Sequence, residues 1–280
     1  MDISCDELLE LRRNAYIACT NLYMEKNNVV GIFGDGVSVS GEHTLPLALI
    51  YGCGLVPVPI EGVDAEVFKF GNSIDTDDLC DVIKSTLIYL TTDKCPLLYS
   101  SRMYVCTNYC YDFCRQLKHA TTKPIFFFDV TKKNSSDQKM QEHNLVKELC
   151  SIYHCEYSEE KKQAAEEKLC RIEKILERLE NYSDLGSDIL FLLRYYTPYI
   201  TDLNERAAFF TKLEIETNFT EEKKERTIIR SLCPRGNYRK ILAQYAQYDS
   251  EHVLIRRAFS NCAVGYDNCI LSRNTKNYGY

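Results

Sequence analysis

Residues 93–130, DKCPLLYSSRMYVCTNYCYDFCRQLKHATTKPIFFFDV, decide the fold. Residues 97–105 are rich in Tyr, Leu and Val, residues 111–120 are compatible with a helix, and residues 124–130 form a short, almost wholly apolar run. Strand, cysteine-bearing turn, helix and strand in that order make a βαβ unit. In open α/β sheets, ligands bind beyond the carboxyl ends of the strands. A strand over 97–105 brings Cys106 and Cys110 to that edge, where a thiol faces a ligand, whereas a thiol inside the strand would face the core.

Towards the N-terminus the same alternation continues. Residues 6–24 carry Leu8, Leu9, Leu11, Ala15, Ile17, Ala18 and Leu22 at roughly helical spacing, as a helix packed on a sheet requires. Residues 29–33, VVGIF, read as a buried strand, and the turn after them, GDGVSVSG, has neither the Lys-Ser/Thr of a P-loop nor the spacing of a dinucleotide fingerprint. Residues 44–51 predict a helix with Pro46 in its first turn, closed by Gly52-Cys53-Gly54, and residues 55–60 predict a strand kept extended by Pro57 and Pro59. Residues 75–90 predict a helix with Cys80 in its first turn, where free N–H groups and the dipole stabilise a thiolate or an anionic cluster. Residues 1–157 thus form one parallel-sheet α/β lobe.

Beyond it the pattern becomes helical. Residues 158–181 alternate blocks of Glu and Lys on one face with Leu169, Ile172, Ile175, Leu176 and Leu179 on the other, the signature of a scaffold helix. Residues 184–199, 204–210 and 221–224 continue a helical connector over 158–225. Strand signals at 227–230 and 252–255 flank a helix at 238–248, so residues 226–280 read as a small, incomplete second α/β lobe. So small a sheet needs covering, either by the helices of 184–210 or by a second subunit.

Composition narrows the function. In a chain of 280 residues, 45% hydrophobic and 26% charged is globular, and a net charge of −6 argues against nucleic acid or an anionic membrane as the main partner. No apolar run is long enough to span a bilayer, and the N-terminus carries acids where a signal peptide needs a basic region, so the expected location is the cytoplasm. Fourteen cysteines without an export signal read as reduced thiols, most of them packing as small hydrophobes and a few serving as metal ligands, in an anaerobic or strongly reducing setting. Cys106, Cys110 and Cys114 on one continuous helix would make a poor cage. If the helix starts at Tyr111, Cys110 lies at the strand-to-helix turn and is the favoured ligand, with Cys106 second. His154-Cys155 can bind metal, but Cys150 and Cys155 are expected on a helix end and its loop. The five histidines show no HxxxH or HExxH spacing, and no GxSxG elbow, kinase set or Walker motif is present.

Several short motifs also fall in a telling order. Leu45-Pro46, then Leu49 through Val58, then Cys80 before Lys84-Ser85, then Cys110, then Lys123 through Val130 and Lys133-Asn134 resemble the 2-hydroxyacyl-CoA dehydratase and benzoyl-CoA reductase family. The stretch 259–265, FSNCAVG, looks like that family's turn bearing a third cysteine. The chain departs from the family at Leu47 and Ala48, where acidic residues are usual, and in its shortened second lobe. The resemblance implies Rossmann-like lobes joined by helices and an iron–sulfur cluster, [4Fe–4S], held by Cys80, Cys110 and Cys262, with one coordination position open. It further implies one-electron dehydration or reduction of an acyl-CoA thioester through a ketyl radical, as in a lyase or related reductase. Its implied partners are an ATP-dependent iron–sulfur activator protein and a homologous second subunit or a second copy. The alternative, from another class, is a non-catalytic, truncated paralogue that binds or scaffolds without a cluster.

Overall fold

The computed structural model describes residues 3–34, 45–62, 67, 81–107, 111–129, 135–231 and 253–257. Four strands, β1 (Val29–Phe33), β2 (Val56–Pro59), β3 (Met103–Thr107) and β4 (Ile125–Phe128), form a parallel sheet in the order β2-β1-β3-β4. β1 and β3 are buried at every residue, because a central parallel strand is covered on both faces. Helix α1 (Cys5–Glu25) opens with a capping box between Ser4 and Glu7 and buries Leu8, Arg12, Ala15 and Cys19, one stripe at helical spacing.

The expected strand over 97–105 is corrected. Cys95-Pro96 starts a short helix, α4 (Pro96–Ser100), with proline in its first turn, where the missing N–H costs nothing and φ is preset. Its end is closed by Lys123, whose Nζ donates to the carbonyls of Leu98 (2.8 Å), Tyr99 (2.9 Å) and Ser101 (2.7 Å). The strand therefore begins only at Met103 and runs on to Thr107, carrying Cys106 into the sheet between Phe33 and Phe127. The crossover helices α2 (Leu47–Gly52) and α5 (Tyr111–Ala120) fall where the sequence puts them, α3 (Asp81–Thr91) covers the described part of the helix expected at 75–90, whose start lies outside the described residues, and α6 (Ser135–Tyr153) follows β4.

Downstream, α7 (Glu159–Tyr182) begins at Ser158, whose side chain accepts from the N–H of Lys161. It buries the expected stripe and, with it, Glu173 and Glu180. α8 (Ser187–Tyr196) runs into a 3-10 turn (Thr197–Tyr199), and Asp202 caps α9 (Leu203–Glu216). The helix expected at 221–224 is not formed. Thr220 and Lys224 instead donate backbone N–H groups to Tyr182 O and Asn181 O, both 2.7 Å, which pins this segment along the end of α7.

β5 (Thr227–Ser231) and β6 (Val253–Arg257) pair in parallel. β6 is covered from within the chain: Val253 N–H donates to Ser187 Oγ (3.0 Å), and Val253, Leu254 and Ile255 join the same apolar core as the four-stranded sheet and α7–α9. Among the described residues, no helix is long and apolar enough to cross a membrane.

Candidate metal centre

The carboxyl edge of the sheet has one distinctive point. β1 and β3 are neighbours, yet β1 connects to β2 on one side and β3 to β4 on the other, so the connections diverge between them. Such a switch point leaves a crevice where ligands bind in open α/β sheets. These two strand ends are packed tightly: Thr107 Oγ1 donates to Phe33 O (3.1 Å), and a Cβ on Gly34, whose φ is +124°, would lie 2.7 Å from Thr107 Oγ1. Only glycine fits there.

Cys80, Cys110 and Cys262 lie outside the described residues, as does most of the glycine-rich turn after Gly34. Cys106, the second choice as a ligand, is overturned. It is 0% exposed within β3, and burial pushes its thiol well above the usual range, so it packs as a small hydrophobe. Cys114 lies on α5, half-buried, its Sγ 3.5 Å from Thr107 O, with its thiol pushed up to about 12 by burial.

The opposite, amino edge of the sheet gathers three cysteines: the ligand atoms of Cys53, Cys150 and Cys155 all lie within 4.8 Å of one another. Two helix endings build this cluster. α2 stops in a Schellman turn, with Gly54 at φ +72° and bonds from Gly54 N–H to Tyr51 O (2.8 Å) and Leu55 N–H to Ile50 O (3.2 Å), which leaves Cys53 as the last residue of the helical path. α6 stops at His154, φ +53°, with Cys155 N–H bonded to Cys150 O (3.3 Å), so the chain folds Cys155 back over Cys150.

Two further bonds bring the endings together. Tyr153 O–H donates to Val29 O (2.6 Å), fixing the last turn of α6 to the start of β1, and Ser158 N–H donates to Gly52 O (2.9 Å), tying the following segment to α2. Cys53 Sγ then stands 3.9 Å from Cys150 Sγ. Burial first, and then the neighbouring Cys150 and Cys155, raise the Cys53 thiol, and burial likewise raises Cys155. A helix C-terminus also disfavours negative charge. Without a cation these two thiols stay protonated; with one, the same carbonyl ends and sulfurs become favourable neighbours.

The group can therefore hold a metal ion. It does not fit the iron–sulfur cluster, because sulfurs within 4.8 Å of one another suit a shared single ion, while thiolates on separate irons stand further apart. The described cysteines are all free thiols. Sequence reasoning left Cys53 as part of a helix stop and Cys150 and Cys155 as a helix end and its loop. The usable signal was topological: helices that cross over a parallel sheet end at its amino edge, so stop signals that carry cysteines converge there.

No family model matches the chain, and no curated protein matches it.

Proposed function

We propose that this chain is an iron–sulfur subunit similar to the 2-hydroxyacyl-CoA dehydratases, with a Rossmann-like N-terminal lobe, a helical connector and a small second α/β lobe. The observation that supports this reading is the divergence of connections between β1 and β3 at the carboxyl edge. The glycine-rich turn follows β1 in the sequence and Cys110 follows β3, so the two segments with the sought chemistry are those attached to the ligand-binding point of such a sheet. Cys80 and Cys110 directly precede α3 and α5, crossover helices that pack against each other.

In this reading Cys80, Cys110 and Cys262 hold the cluster, which supplies one electron to the carbonyl of an acyl-CoA thioester. The chain's own part is to hold the thioester, exclude water and keep the two strand ends rigid through Gly34 and Thr107. An ATP-dependent activator protein recharges the subunit, which works beside a homologous subunit or a second copy in the cytoplasm.

Iron and acid-labile sulfide per chain, measured after anaerobic purification, test the reading. The expected result is brown protein with both elements present, lost in Cys110→Ser. Colourless protein after reconstitution with iron and sulfide overturns it in favour of a binding or scaffold subunit.

A further inference from the structure

We infer that Cys53, Cys150 and Cys155 form a mononuclear thiolate site that takes a soft divalent ion, Zn2+, and staples the C-terminal end of α2 to that of α6. This site is independent of the proposed cluster, since it lies at the opposite edge of the sheet and uses other cysteines.

The geometry is already close to that of a coordinated ion. Zinc–thiolate bonds of about 2.3 Å in a tetrahedron require sulfurs about 3.8 Å apart. Cys53 Sγ and Cys150 Sγ are 3.9 Å apart, and Cys155 lies within 4.8 Å of both, so a small side-chain rotation completes the triangle. Thiol sulfur is a soft donor that selects zinc and copper(I) over magnesium or calcium. Cys53 is buried, whereas Cys150 and Cys155 are half-buried, which leaves a side from which an ion enters.

The surroundings favour a cation. The C-terminal end of α6, a helix of 19 residues, carries partial negative charge towards the site. Binding proceeds with loss of one proton from each thiol: Zn2+ plus three S–H groups gives a tris-thiolate complex of net charge −1 and three protons released to solvent. Among the described residues the group has three donors, so a tetrahedral ion keeps its fourth position for water.

A single-purpose packing cluster would have no such requirements. Three cysteines brought together by two separate helix stops also differ from a disulfide pair, whose sulfurs must close to about 2.05 Å. The bond from Ser158 N–H to Gly52 O shows why a staple at this point matters: α7 begins here and runs against α2, so an ion would set how the long helix leaves the sheet.

The test uses the full chain, reduced and metal-free under argon, titrated with Zn2+ in competition with a chromophoric chelator. One ion per chain is expected, with release of three protons and affinity that weakens as pH falls. Co2+ in place of Zn2+ should give the intense absorption of tetrahedral thiolate coordination. Cys155→Ser, at a half-buried turn position that tolerates a hydroxyl, should weaken Zn2+ binding at least tenfold with unchanged far-UV circular dichroism, and Cys53→Ser should do the same. Cys19→Ser and Cys110→Ser should leave it unchanged, the second of these separating the site from the proposed cluster. Binding that survives Cys53→Ser and Cys155→Ser alike is adventitious and overturns the proposal. So does the absence of a one-to-one complex, or a Cys53–Cys150 disulfide that forms in the native protein and leaves no ion-binding capacity.

Discussion

Arg256 of β6 and Glu180 of α7 form a two-pronged ion pair, each guanidinium NH group meeting one carboxylate oxygen. Glu180 is 1% exposed and is held from the other side by Arg194, at 2.9 Å through Nε and 3.0 Å through Nη2, while Arg194 also reaches Glu173 at 2.7 Å. Two buried carboxylates and two guanidiniums thus join β6 to α7 and α8. Each lone pair and proton must be matched, because an unpaired charge at this depth is costly.

Glu180→Ala should therefore destabilise the chain by about 3–5 kcal/mol, the range for breaking one partner out of a buried ion pair. Urea unfolding midpoints measure this, with Glu173→Gln expected to cost less because Arg194 keeps Glu180. A midpoint unchanged in Glu180→Ala would show that the network carries no stability.

The same residue sets a pH dependence. Burial raises the Glu180 carboxyl, but Arg194 and Arg256 outweigh it and hold the group below its ordinary value. A carboxylate depressed on folding contributes stability that is complete above its unfolded value, about pH 4.3, and is lost as pH falls through the lower folded value. Stability should decline through that acid window in the native chain, and the decline should be shallower in Glu180→Gln. Parallel pH–stability curves for the two would refute the assignment.

Cys106→Ser places a hydroxyl inside β3 in exchange for a thiol that behaves as a small hydrophobe. The expected loss is about 1–3 kcal/mol, the protein-based cost of burying such a group without a good partner. Iron content and zinc affinity should both stay at native levels, since Cys106 faces the core. A fall in either, with the fold intact by circular dichroism, would return Cys106 to the ligand set.

Gly34→Ala adds a methyl 2.7 Å from Thr107 Oγ1 at a backbone φ of +124°. Strain of about 1–3 kcal/mol is expected. Thr107→Ala in the same chain removes the clash but leaves the backbone conformation, so the double variant should recover only part of the loss. Full recovery would mean that contact alone, and no backbone strain, demands glycine.

Lys123→Met removes the donor to three carbonyls at the end of α4. Stability should fall by about 1.5–3 kcal/mol, the range for a hydrogen bond to a charged group, and amide exchange should quicken over residues 96–102 before it does in β3. Uniform exchange across both would mean that α4 does not depend on this cap.

Much of the fold was legible because its signals are local. Val29–Phe33 and Ile125–Phe128 are short apolar runs bounded by turn residues, and Glu159–Tyr182 repeats an apolar residue every three or four positions, so each reads as its own element. Residues 97–100 misled for a local reason too. An apolar run of that length does not distinguish strand from helix, and the arbiter, Lys123 closing on three carbonyls, stands more than 20 residues away. That shift of register is what turned Cys106 from an edge residue into a core one.

By itself the sequence determined most of the order of strands and helices, the parallel N-terminal sheet and the reduced state to expect of the thiols, since these follow from periodicity, helix caps and composition. Only the tertiary structure decided which side chains meet. Cys53 and Cys150 are 97 residues apart, and Glu180 and Arg256 are 76 apart. Nothing in either neighbourhood marks its partner, because the approach is set by where whole helices end on a sheet. A thiol or a carboxylate acquires its chemistry from that meeting: the local pattern says where a helix stops, and the packing of the sheet says what it stops against.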